Sequence, residues 1–468
     1  MPAGSRRVFS ARRLPIPFLA SAFLASLFSA AASAAPVLMI SIDGLKPEYV
    51  TQADSKGLKI PYLRTLMKNG TYADGVVGVW PTVTYPSHTT LITGVTPAEH
   101  GIYNNTEFDP ELHFGGAWNW YSAQIKARTL WHAAHNAGLH TASVGWPVSV
   151  GNRDVDWLIP EYWRGETPDA TSNPLDRNLI ATLSRPRTMM TDLEAAVGPY
   201  MMGNDPNVAG DEIKTRYSLE ILKKYKPALM TIHISALDAA EHESGPFSPE
   251  ADRTLEAIDG MVARLAHQEF LNDPNAVLLV VSDHGFMKIT RWDNLAVPFV
   301  RAGLISIAVS AGRPVVTAWK LQLWAAGGMA AVVLHDPNDQ ATQQQARAVL
   351  DKLASDPSSG VAQVLDHGAM EKLGCFPNAA FLIVLKPGYY FGQGWGGPMV
   401  TPVAGNRGSH GFSPQYPEMR ASFFALGAGV AHHRDLGVID MRQIAPTVAR
   451  ILGAPMPSAK APPLHLQP

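Results

Sequence analysis

The chain has 468 residues, of which 46% are hydrophobic and 17% charged, with a formal net charge of -2 and one cysteine. That length makes room for a full hydrophobic core, so neither a metal nor a disulfide is needed merely to fold. The near-neutral charge excludes a strongly basic nucleic-acid surface, and the lone cysteine excludes a disulfide framework or CxxC zinc site, leaving His, Asp and Glu to bind any metal.

Residues 1–34 carry Arg6, Arg7, Arg12 and Arg13, then the apolar run 14–31, then Ala32-Ser33-Ala34. A basic start, an apolar middle and small residues at the cut read as a secretory signal peptide. Ser5-Arg6-Arg7-Val8-Phe9 also fits the opening of a twin-arginine signal. Removing this segment, with its four arginines and no acid, takes the net charge to -6 and leaves one catalytic domain over 35–468. The expectation is an exported protein, periplasmic or secreted, with no transmembrane anchor after cleavage.

Val37-Leu38-Met39-Ile40-Ser41-Ile42 is an apolar run of strand length that ends at Asp43-Gly44. Buried parallel strands read this way, and ligands gather at their carboxyl ends. Helical patterns at 60–68, 127–136, 212–225 and 249–267 alternate with strand-like runs at 140–144, 229–234 and 276–282. That alternation predicts an α/β fold with a mostly parallel central sheet. The hydroxyl-rich string Pro81-Thr82-Val83-Thr84-Tyr85-Pro86-Ser87-His88-Thr89-Thr90 precedes a short apolar helix at 91–94. From about 286 to 405 the rhythm is less regular and reads as an inserted smaller lobe, after which 421–426 returns as a strand and 441–452 closes as a helix.

The acids and histidines fall where these runs end. Asp43 follows the first strand, and Asp283-His284-Gly285 follows 276–282. Asp238 and His242 stand four apart, which puts both on one face of a helical turn, and His410 sits among glycines. Three carboxylates and three imidazoles suffice for two tetrahedral metal sites completed by a substrate or nucleophile. Plainer roles stay open from the residues alone: a helix cap for Asp43, a solvated face for Asp238 and His242, a loop position for His410. Asp366-His367-Gly368 repeats the Asp-His-Gly string but opens a helix, so Asp366 is expected to be a cap. His88 and His100 are read as polar core or surface residues. Thr84 or Ser87 either caps the helix or supplies a hydroxyl that a divalent ion helps to ionise, as zinc lowers bound water from about 15.7 to about 7.

Taken in order, these strings resemble the nucleotide pyrophosphatase/phosphodiesterase family of the alkaline phosphatase superfamily. The resemblance rests on Ile42-Asp43-Gly44, the Pro81–His88 string, Thr93-Gly94-Val95-Thr96-Pro97-Ala98-Glu99-His100-Gly101-Ile102, Asn104-Asn105 and Trp146-Pro147. It continues through Leu237-Asp238 with Glu241-His242, Ser282-Asp283-His284-Gly285 and Gly408-Ser409-His410-Gly411. It implies an α/β alkaline-phosphatase-like sandwich with helices on both faces of the sheet and an inserted lobe. It also implies two zinc ions, one held by Asp238, His242 and His410, the other by Asp43, Asp283 and His284. Thr84 would be both ligand and nucleophile, forming a phospho-threonine while cleaving a nucleotide pyrophosphate or small phosphodiester. Asn105 resembles the family's amide donor to a phosphate oxygen. Aromatics such as Tyr103, Phe108 and above all Tyr162 could stack a nucleobase. Ser87 stands where the family usually has Asn, so a phosphomonoesterase using the same site is the alternative. A metal-stabilised binding protein without catalysis is a third reading.

Overall fold

The computed structural model of the chain describes residues 1, 3–5, 34–111, 117–163, 174–201, 204–310 and 312–468. The signal-peptide reading rests almost wholly on positions outside these residues.

An eight-stranded sheet runs in the order Arg434–Asp435, Thr71–Tyr72, Phe423–Gly427, Val277–Val281, Val37–Ile42, Leu229–Ile234, Thr141–Val144 and Trp157–Ile159. The last five of these pair in parallel, whereas Phe423–Gly427 joins Val277–Val281 antiparallel. Successive side chains on a strand point to opposite faces, and both faces here are apolar. Leu38, Ile40 and Ile42 face a core with Leu63, Leu66, Ile221, Leu222, Leu255 and Ile258, from helices Pro61–Asn69, Val208–Tyr225 and Pro249–Asn272. Val37 and Met39 face the other core, which holds Leu91, Ile92, Trp131, Ile444 and Val448 from helices Thr84–Thr93, Leu130–Asn136 and Ile444–Ile451. Apolar runs without polar alternation are what a sheet covered on both sides requires.

Between Met287 and Ser409 the chain builds smaller sheets: an antiparallel four-stranded one, Leu321–Ala326, Met329–Leu334, Phe381–Leu385 and Val361–Asp366, a three-stranded one, and a hairpin. The strand Met287–Asp293 pairs antiparallel with Val400–Ser409, which delivers the chain to His410. Asp366 caps helix His367–Leu373 by accepting the Ala369 N–H at 2.8 Å, as its sequence context predicts. No helix among the described residues is long and apolar enough to cross a membrane.

One element differs from expectation. The helix after the hydroxyl string does not begin near residue 91 but spans Thr84–Thr93. Its hydroxyls do not break it, because Thr89 and Thr93 each donate to the carbonyl four residues back, at 2.7 Å. Pro86 falls in the first turn, where its missing N–H costs nothing.

Candidate metal centre

The parallel strands aim their carboxyl ends at one place. Asp43 follows Val37–Ile42 directly, and Asp283 stands two residues beyond Val277–Val281. Asp238 and His242 lie on helix Ala236–Ser244, which starts just after Leu229–Ile234, with His242 Nε2 3.4 Å from Asp238 Oδ2. His410 reaches the same spot from the small three-stranded sheet, its Nε2 3.5 Å from Asp238 Oδ1. Asp43 is not a helix cap: the next helix, Pro47–Thr51, has Lys46 at that position. Gly44 makes the turn after Asp43 with φ +75°, and a Cβ there would stand 2.8 Å from Glu241 Oε2. Its N–H donates to Asp283 Oδ1 at 3.2 Å, joining two of the strand ends.

Two sets of side chains present their ligand atoms within 4.8 Å of one another: Asp238, His242 and His410; and Asp43, Asp238 and His284. Asp238 belongs to both. Asp283 closes on the second set, its Oδ2 3.0 Å from His284 Nε2. His284 and His410 stack with ring centroids 3.7 Å apart, which brings the two sets side by side.

The imidazoles share an orientation. The Nδ1 atoms of His242, His284 and His410 each lie 3.2 Å from a backbone carbonyl, those of Gly408, Gly285 and Thr82. A carbonyl only accepts, so Nδ1 donates to it and Nε2 is the ring atom turned toward the carboxylates. Asp43 Oδ1, Asp238 Oδ1 and Asp283 Oδ2 are buried without a hydrogen-bond partner, although each lies 3.0–3.5 Å from an imidazole Nε2. Burial, then the charges of Asp283 and Asp238, push the Asp43 carboxyl well above its ordinary range. Burial, then His284 and His242, push His410 well below its own. Burial works against Asp283 ionising as well, but His284 and His88 beside it hold it below the usual carboxylate range. Buried carboxylates crowded in this way suit a cation between them, and imidazole nitrogen with carboxylate oxygen is a donor set that could hold a metal ion.

Thr84 opens its helix, buried, with Oγ1 3.5 Å from His284 Nε2. Neither Thr84 nor Ser87 is the helix cap; that position is Val83, which offers no side-chain acceptor. Asn105 takes over part of that task, its Oδ1 accepting the Tyr85 N–H at 2.8 Å. Ser87 is buried, and its Oγ has no hydrogen-bond partner. Tyr162 packs on Trp120 at 5.0 Å between centroids, in a run of rings that continues through Trp163 and Trp118 to Tyr85. Tyr103 and Phe108 pack instead on Trp324 of the four-stranded sheet.

Two buried residues at the back of the site, His233 and Glu161, escaped the sequence reading, and His88, read as polar core or surface, is buried beside them. His88 Nδ1 donates to Thr84 O at 2.9 Å and lies 3.5 Å from Asp283 Oδ2; its place four residues after Thr84, one helical turn on, was the available signal for that contact. His233, the only charged-type side chain in the strand Leu-Met-Thr-Ile-His-Ile, lies 3.0 Å from Asp43 Oδ2. Glu161 lies 2.9 Å from the other His233 nitrogen and had no local signal at all.

A family model described as type I phosphodiesterase / nucleotide pyrophosphatase matches residues 37–413. Human ectonucleotide pyrophosphatase/phosphodiesterase family member 1 is 26% identical over 262 residues, 53% of this chain and 23% of that protein. Venom phosphodiesterase 2 of Crotalus adamanteus is 26% identical over 263 residues, 54% of this chain and 27% of that protein. These matches thus span about a quarter of the length of those curated relatives. The solved structure of murine ectonucleotide pyrophosphatase/phosphodiesterase 5 superposes with a TM-score of 0.62 at 19% identity, covering 90% of this chain and 96% of that one, and so shares its α/β fold. With the family model spanning both the strand ends and the His410 loop, the chain belongs to the type I phosphodiesterase / nucleotide pyrophosphatase family.

Proposed function

We propose that the chain is an exported, zinc-dependent hydrolase that cleaves nucleotide pyrophosphate or small phosphodiester bonds through Thr84. The observation that carries this reading is the common orientation of His242, His284 and His410, each with Nδ1 on a carbonyl and Nε2 toward unpartnered carboxylate oxygens. That donor set, imidazole nitrogen and carboxylate oxygen, suits zinc. Asp238, His242 and His410 would hold one ion; Asp43, Asp283, His284 and Thr84 Oγ1 would hold the other. When bound, zinc supplies Lewis-acid stabilisation of the phosphoryl oxygens and lowers the pKa of a coordinated hydroxyl.

Thr84 Oγ1, having lost its proton, attacks phosphorus as the bond to the leaving oxygen breaks, giving a phosphorylated or nucleotidylated threonine. Water then displaces Thr84 from phosphorus, and two inversions give net retention. The backbone at the start of helix Thr84–Thr93 favours the anionic group. Asn105, with Oδ1 tied to the Tyr85 N–H, keeps its Nδ2 hydrogens for a non-bridging phosphate oxygen. Export is supported by the basic, apolar and small-residue succession of residues 1–34.

Metal analysis of the purified protein is expected to find about two zinc per chain. Thr84→Ala is expected to abolish turnover while zinc stays bound; unaltered turnover removes Thr84 from its role. A phosphomonoesterase is the second reading, favoured by Ser87, which is shorter than the usual amide at that position. Comparing p-nitrophenyl phosphate with its thymidine monophosphate ester separates the two.

A further inference from the structure

Asp43 Oδ2 is occupied from within the protein. His233 Nε2 lies 3.0 Å from it, while Asp43 Oδ1 has no hydrogen-bond partner. On its other side, His233 Nδ1 lies 2.9 Å from Glu161 Oε2 and 3.1 Å from Gly145 O. Gly145 O only accepts, so Nδ1 donates on that side while Nε2 faces Asp43 Oδ2, and the ring cannot turn without losing these contacts. Glu161 is held in turn, its Oε1 accepting the Tyr85 hydroxyl at 2.6 Å. Tyr85 directly follows Thr84, and its backbone N–H fixes the Asn105 amide. All four side chains of the series Asp43, His233, Glu161 and Tyr85 are buried.

We propose that His233 is a positioning residue for the metal centre, confining Asp43 to one ligand oxygen, Oδ1, and linking that ligand through Glu161 and Tyr85 to the start of the Thr84 helix. The inference rests on the zinc reading above. A carboxylate with both oxygens free can rotate or chelate through either; one oxygen pinned by a fixed N–H leaves a single, pre-aimed donor. Partners of this kind typically change metal affinity or activity about 10- to 100-fold when removed.

The two amide replacements of His233 separate positioning from bulk. A Gln side chain places its NH2 near the Nε2 position and can still donate to Asp43; an Asn side chain places its amide near Nδ1, serving Glu161 but not Asp43. The test is zinc affinity of the full chain by chelator competition, together with the unfolding temperature of the zinc-stripped protein. His233→Asn is expected to weaken zinc binding by about 10- to 100-fold, and His233→Gln to recover most of that loss, with similar zinc-free unfolding temperatures. Wild-type affinity in His233→Asn, or equal losses in both variants, overturns the positioning role. Should His233→Asn not fold, Glu161→Gln serves: it keeps the shape, loses the anion that anchors Nδ1, and is expected to weaken zinc several-fold. Unchanged affinity there overturns the proposal as well. If the wild-type chain binds no zinc, the zinc reading fails; if it binds zinc and the variants match it, only the role of His233 fails.

Discussion

Asn105 shows how much one side chain can be asked to do. Its carbonyl oxygen replaces the missing cap of the Thr84 helix, and that bond decides which end of the amide faces outward as a donor. Asn105→Ala therefore removes a phosphate donor and a helix cap together. The expected result is a fall in kcat of about 10²- to 10³-fold on a nucleotide ester with zinc content unchanged, read by steady-state kinetics and metal analysis. A rate within a factor of two of wild type would sink the oxyanion role. Asn105→Asp tests the two parts separately: the cap survives, the donor becomes an anion, and turnover is expected to fall at least as far. The positions of the six candidate residues, at strand ends or on a helical i, i+4 pair, were legible in the sequence, and the resemblance to the family supplied the role expected of them. His233 and Glu161 were not legible, since their partners lie 190 and 72 residues away and only the folded sheet brings them together.

At the scale of elements, the helix Ala236–Ser244, which carries Asp238 and His242, has no side-chain cap of its own. Asp211, on helix Val208–Tyr225, supplies one from outside: it accepts the Ser235 N–H at 3.1 Å and the Ala236 N–H at 2.8 Å, while Lys214 pairs with it at 2.7 Å. Asp211 and Lys214 are both buried, so Asp211→Ala strands a buried ammonium and two backbone donors. A loss of about 3–5 kcal/mol in unfolding free energy is expected from denaturant titration, with zinc affinity lowered because Asp238 and His242 ride on the loosened helix. A variant as stable as wild type would show that the cap is redundant. Glu269, buried near the end of helix Pro249–Asn272, gives a pH signature: burial, with Asp273 nearby and opposed by Asn272, raises its carboxyl to about 7. Its folded pKa lies above its unfolded one, so its contribution is full below about pH 4.5 and is lost as pH rises through about 7. Glu269→Gln is expected to leave stability nearly unchanged at pH 4.5 and to raise it by about 3 kcal/mol at pH 8, at about 1.36 kcal/mol per unit. Equal stability changes at both pH values would refute this. The buried parallel strands were legible as elements because their apolar runs have no other use. The Thr84 helix was misread at its start because its stability comes from back-bonded hydroxyls and from Asn105, neither of which resembles a helical hydrophobic period.

Over the whole molecule, the site is where separate parts of the chain converge. Asp43 and Asp283 come from the central sheet, Asp238 and His242 from the helix after its neighbouring strand, and His410 from the end of a strand in the small three-stranded sheet. The register of Met287–Asp293 against Val400–Ser409, which fixes where His410 emerges, follows from long-range pairing that no local pattern encodes. An ion held by residues from both sheets binds the folded state and not the unfolded chain, so it stabilises the molecule by mass action, about 2.7 kcal/mol for each site at a free concentration 100-fold above Kd. Without the cation, burial and the charges of Asp283 and Asp238 raise the Asp43 carboxyl, opposed only by His233 and His284. Chelation is therefore expected to lower the unfolding temperature by several degrees and to restore it when zinc is returned. Hydrogen exchange after chelation is expected to rise in 236–244 and 408–412, which carry Asp238, His242 and His410. An unfolding temperature unmoved by complete metal removal would mean that the carboxylates are balanced by protons and imidazolium alone, and the site would then owe nothing to a metal ion.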